Sequence, residues 1–187
     1  MKKITSYLLL AVPFCAVAIY AAAAAPRVSG NVLKVVELSL DDRIKSLWAE
    51  NPFSVIRLTR GLYLEGYGAV FTVDVSPVLS TTSMMHPTVT KDEIVKAHKA
   101  RVERIGQLKQ AMRLAVADAA SSLEPVPADD QITLVVYLAH HEWEDVSDTP
   151  GQLTFRGKKK ALIDAKRAGA AALAQAVQVT ENCWAAR

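Results

Sequence analysis

The stretch from Thr90 to Leu123 constrains this chain more than any other, because it spells one helix longer than a small domain is wide. Thr90-Lys91-Asp92-Glu93 is a capping box, in which a Thr hydroxyl and a Glu three residues later each satisfy a backbone donor of the first turn. Ile94, His98, Val102, Ile105, Leu108, Met112, Val116, Ala119 and Leu123 then recur at steps of three and four. Pro125 and Pro127 end the pattern. A helix of that extent is roughly 50 Å long. It must overhang a compact core or lie against another helix, which offers a homodimer face along Lys91–Leu123.

Strand signals surround it. Ala69, Phe71, Val73 and Val75 alternate with Thr72 and Asp74, so one face of that segment is apolar. Ile132, Leu134, Val135, Val136, Tyr137 and Leu138 form a continuous apolar run, expected of a central strand. Phe53 to Thr59 reads as a strand, Arg60-Gly61 as a turn and Leu62 to Glu65 as a further short strand. Asp148-Thr149-Pro150-Gly151 is a turn, and the strand after it, 152–156, should form a hairpin with the central one. Lys158-Lys159-Lys160 is a basic spacer before an Ala-rich helix from Ala161 to Val177, weakened at Gly169. Residues 32–40 are apolar but of mixed period, so the first helix signal is placed at Ser39, with Leu40, Ile44, Leu47 and Trp48 at helical spacing. The expected fold is α+β: an antiparallel sheet of four to five strands packed against one long and one shorter helix.

The N-terminus gives an address. Met1-Lys2-Lys3, an apolar run from Leu8 and the small residues Ala21 to Ala25 make the pattern of a secretory signal peptide. Pro26 disfavours cleavage directly after Ala25, so the cut is placed after Ala23 or Ala24. The resulting division is 1–24 signal peptide, 25–38 flexible leader and 39–187 a single α+β domain. The expected location is the bacterial periplasm or the exterior, with membrane contact only if the segment stays uncleaved. The chain has 22 Lys+Arg against 19 Asp+Glu; Lys2 and Lys3 leave with the signal, so 20 against 19 remain, a net charge of +1. Near-neutral charge supplies no drive toward nucleic acid. Cys15 leaves too, so Cys183 stands alone and no disulfide can close within one mature chain.

Chemistry is sparse. His140-His141-Glu142-Trp143-Glu144-Asp145 follows the central strand. In an extended chain His140, Glu142 and Glu144 share a face and could hold a divalent metal. The spacing is not the His-Glu-x-x-His of a zinc helix. Gly61, Gly66 and Gly68 precede a strand rather than a helix, so a bulge or tight bend is favoured over a phosphate loop. Tyr63, Tyr67 and Trp143 are the candidate ligand-binding aromatics. No Gly-x-Ser-x-Gly elbow and no Cys-x-x-Cys occurs. The sequence reading is therefore an exported envelope protein, a non-catalytic binding or assembly module without a cofactor, whose partner is an envelope protein or polymer. The alternative is a metal-binding protein or hydrolase centred on His140–Asp145.

Overall fold

A computed structural model describes residues 28–47, 54–78 and 88–183. The signal segment, Trp48 of the first helix signal and residues 79–87, a stretch rich in Ser, Thr and Met ahead of the long helix, lie outside the described residues. In chain order come α1 (Gly30–Ser46), β1 (Ser54–Leu64), β2 (Gly68–Ser76), α2 (Lys91–Ser122), β3 (Gln131–Leu138), β4 (Pro150–Lys158), α3 (Lys159–Ala168), α4 (Ala170–Ala176) and β5 (Gln178–Cys183). The strands form one sheet in the order β1-β2-β3-β4-β5.

The α+β architecture is present, but the sheet is mixed rather than wholly antiparallel. β2 and β3 pair in parallel from Gly68↔Gln131 to Val75↔Leu138, while the other neighbours are antiparallel. The long helix is the cause. Parallel strands need a long crossover, and α2 carries the chain from the end of β2 back to the start of β3. Its capping box forms as spelled, with Glu93 N–H donating to the Thr90 hydroxyl and Thr90 N–H donating to the Glu93 carboxylate. α2 has 32 residues, about 48 Å, against about 26 Å for the eight of β3. The overhang is met by the β3–β4 loop.

One face of the sheet meets the helices. Ala69, Phe71, Val73 and Val75 of β2, Ile132, Leu134, Val136 and Leu138 of β3, and Leu153 and Phe155 of β4 are all buried there. They pack with Ile105, Leu108, Met112 and Val116 of α2, Leu33, Val36, Leu40 and Ile44 of α1, and Leu162 of α3.

Several boundaries differ from the sequence reading. Residues 30–38, placed in a flexible leader, are the first half of α1. Their period looked mixed because the buried stripe Leu33, Val36, Glu37, Leu40, Asp41, Ile44 contains two carboxylates. Both have work at the sheet edge. Gly61 N–H donates to Glu37 Oε1 at 2.8 Å, and Thr59 N–H donates to Asp41 Oδ1 at 2.9 Å. β1 is an edge strand, and α1 thereby occupies donors that another strand could otherwise pair with. The same contacts turn the supposed Arg60-Gly61 turn into a bulged continuation of β1, with register shifts on both sides of Arg57. The Ala-rich helix is divided at Gly169, whose φ is 106°, into α3 and α4. The lysine spacer is no loop: Lys158 ends β4 and Lys159 begins α3, its ammonium donating to the carbonyls of Glu124 and Val126 beyond α2.

Glu37 gives a pH test. Burial pushes its pKa up, but the Gly61 N–H and the Lys34 ammonium outweigh that and hold it below the ordinary glutamate value. A depressed carboxylate stabilises the fold above its unfolded value, and that contribution is lost as pH falls through the folded value. Glu37→Gln is expected to lower stability by about 1 kcal/mol at neutral pH. Urea unfolding should show the difference closing below about pH 4. A gap that does not depend on pH would contradict the assignment.

Candidate functional site

The most demanding electrostatic feature is Arg101, whose residue exposure is 0%. It lies on the apolar stripe of α2, between Ala97 and Ile105, and points to the end of β3. Its Nη1 donates to Glu144 Oε2 at 3.0 Å and to the Ala139 carbonyl at 3.1 Å. Nη2 donates to the Leu138 carbonyl at 3.3 Å, and Nε to the Thr149 hydroxyl at 3.1 Å. Glu144 Oε1 accepts the His141 backbone N–H at 2.8 Å. Burial pulls the Arg101 pKa down and the Glu144 carboxylate opposes it; a guanidinium nevertheless stays charged in a protein. One turn earlier, His98 meets the same loop through the Asp145 carbonyl at 3.0 Å and the Asp148 carboxylate at 3.4 Å. The cluster is a post that fastens the β3–β4 loop to the overhanging end of α2.

The structure does not bring the three candidate metal ligands together. Residues 139–149 form turns, not an extended strand, so His140, Glu142 and Glu144 do not share a face. Glu144 is turned inward to Arg101, while His140 and Glu142 are exposed. Among the described residues, no group of three or more His, Cys, Asp or Glu side chains is placed to hold a metal ion.

The three aromatics are also apart. Tyr63 belongs to the helix-side face and donates to Asp130 Oδ2 at 2.9 Å. Burial and that carboxylate raise its pKa. Tyr67, in the β1–β2 turn, lies over the opposite face with its hydroxyl 3.0 Å from Thr133 Oγ1. Trp143 stacks on His141, with ring centroids 5.5 Å apart and planes 4° from parallel, at the other end of the sheet.

That opposite face is the better site. Following the register across the strands gives the rows Arg57–Asp74–Tyr137–Gln152–Asn182 and Arg60–Thr72–Val135–Thr154–Thr180. Leu62–Val70–Thr133–Arg156–Gln178 and Leu64–Gly68–Gln131–Lys158 complete it. Where its helix-side neighbours are buried, Tyr137 is 42% exposed, and Ile56, Leu62 and Leu64 are exposed as well. At one end, Ile56, Arg57, Asp74, Tyr137 and Ala139 line an open cleft of about 430 Å³. Arg57 Nε lies 3.5 Å from Asp74 Oδ2. Sequence reasoning missed these residues because they are neighbours only through strand pairing. Arg101 left one usable sign, a charge on an apolar helical stripe.

The fold and site define a two-layer α+β domain with helices on one face of the sheet and the other face open among the described residues. Comparison with known proteins returns no match to a family model, a curated protein or a solved structure.

Proposed function

We propose that this protein is an exported, non-catalytic binding module of a bacterial cell envelope, and that it works through the open face of its sheet. One observation carries the reading. Apart from strand ends such as Gly68 and from Thr133 beneath Tyr67, β2, β3 and β4 alternate buried residues with half-exposed or exposed ones, so a broad face that includes Thr72, Gln152, Thr154, Arg156 and Tyr137 is left outside the helical layer. The Lys2-Lys3 start, the apolar run and the Ala21–Ala25 exit support export. A binding role is further supported by how the buried charges are used: Arg101, Glu144, Glu37 and Asp41 each hold backbone groups in place.

Two measurements test it. Protein recovered from periplasmic extract should begin after Ala23 or Ala24; intact precursor in the cytosol would defeat the reading. The mature protein should sediment with isolated envelopes. Thr72→Glu with Thr154→Glu, both on the open face, should cut that binding by about tenfold, whereas Lys96→Glu on α2 should leave it unchanged. Equal sedimentation of all three proteins would remove the open face as the binding surface.

A further inference from the structure

We propose that the cleft between Arg57, Asp74 and Tyr137 is a subsite for one uronate residue of an anionic polysaccharide. The inference rests on the open face being the binding surface and names the ligand that face takes.

The backbone is shaped around Arg57. Register shifts fall between Val55 and Arg57 and again between Arg57 and Arg60. Each bulge gives up regular pairing and re-aims the side chains beside it. The Arg57 side chain is 76% exposed, and its ion-pair contact among the described residues is the 3.5 Å approach of Nε to Asp74. An ion pair this long and open to water on the arginine side is weakly held, so a ligand carboxylate can engage the guanidinium at little cost. A planar guanidinium fork suits a carboxylate, which it can bind through two parallel hydrogen bonds.

The other walls favour a sugar. A pyranose ring has an apolar C–H face and a rim of hydroxyl donors. The Tyr137 ring offers a flat apolar surface, Ile56 extends it at 57% exposure, and Asp74 accepts hydroxyl hydrogens. The cleft, about 430 Å³, falls within the range of small-ligand sites.

The charge of the face continues the argument. Arg57, Arg60, Arg156 and Lys158 stand on the rows described above against Asp74 alone. Arg156 and Lys158 lie three strands from β1, about 14 Å away. A chain of acidic sugars crossing the strands would meet Arg57 and Arg60 on β1 and Arg156 and Lys158 on β4, with the neutral Thr72 and Val135 between them. Single-stranded nucleic acid would need successive stacking rings. Here the cleft has one, and Tyr67, the second ring on this face, is bonded to Thr133.

Calorimetric titration of the mature protein with a short oligogalacturonate tests the assignment, with the neutral galactose oligomer and a single-stranded DNA oligomer as probes of charge and shape. The uronate oligomer should bind about tenfold more tightly than either. Arg57→Gln and Tyr137→Ser should each weaken it by about tenfold, and Arg57→Lys, which keeps the charge without the fork, by about threefold. Urea midpoints confirm that each variant is folded. DNA binding as tight as the uronate overturns the proposal in favour of a plain polyanion patch. Unchanged uronate affinity in Arg57→Gln and Tyr137→Ser overturns the site. If the uronate does not bind while Thr72→Glu with Thr154→Glu still abolishes envelope sedimentation, the ligand class falls and the binding surface stands; loss of both results removes both.

Discussion

Gly68→Ala is expected to destabilise the fold by about 4 kcal/mol, the largest effect of any glycine substitution here. Two costs combine. Gly68 has φ +131°, which L side chains rarely adopt. A Cβ there would also lie 2.0 Å from the Gln131 carbonyl oxygen and 2.7 Å from its nitrogen. Both obstacles are backbone, so no rotamer change relieves them. Gly68↔Gln131 is the first pair of the parallel ladder, and Gln131 N–H donates to the Tyr67 carbonyl beside it. Admitting a methyl group therefore means opening the parallel seam between β2 and β3 at its start. Gly66 is the control. Its φ is +76° and nothing lies within 4 Å of its Cβ position, so Gly66→Ala should cost only about 1 kcal/mol. Equal urea midpoints for the two variants would show that β3 does not begin against Gly68.

Glu144→Ala should cost about 3–5 kcal/mol, because it strands the Arg101 guanidinium in a site with no access to water. The Glu144 side chain is 2% exposed and that of Arg101 0%. Removing both charges is a different experiment. Arg101→Met with Glu144→Leu replaces the pair by apolar groups of similar size, and should recover most of the loss. The His141 backbone N–H and the Leu138 and Ala139 carbonyls would still lack their partners, so recovery should be incomplete. Hydrogen exchange should show residues 139–149 opening in Glu144→Ala while Phe71 and Leu134 stay protected. A Glu144→Ala midpoint within about 1 kcal/mol of the parent would show that the loop is not held by this pair.

The parts of the fold readable in the sequence were those where one physical signal acted alone. The box at Thr90 and Glu93 marked the start of α2, and the prolines after Leu123 marked its end within a residue. β2 and β3 announced themselves by alternation and by an unbroken apolar run. Elements were misread where a residue served two elements at once. Glu37 and Asp41 spoil the period of α1 because they face β1's backbone. Val102 was placed on the buried stripe of α2, yet it is 48% exposed, and Arg101 takes the inward position. β5, Gln-Val-Thr-Glu-Asn-Cys, has little apolar content because it is an exposed edge, so no strand is read after the Ala-rich helix expected to end at Val177. Strand direction was hidden for a simpler reason: pairing is decided by the path of the connection, which no local pattern records. The candidate site suffered most. Arg57, Asp74 and Tyr137 are separated in sequence by 17 and 63 positions and meet only across three strands.

The carboxylates of α1 carry a consequence for the order of synthesis. A chain is made from its N-terminus, and folding can begin before the end is complete. Glu37 and Asp41 therefore leave the ribosome ahead of Thr59 and Gly61, whose amides they engage. The residues that cover this rim are therefore already made when the strand that carries it emerges, and pairing of α1 with β1 does not have to wait for the remaining strands.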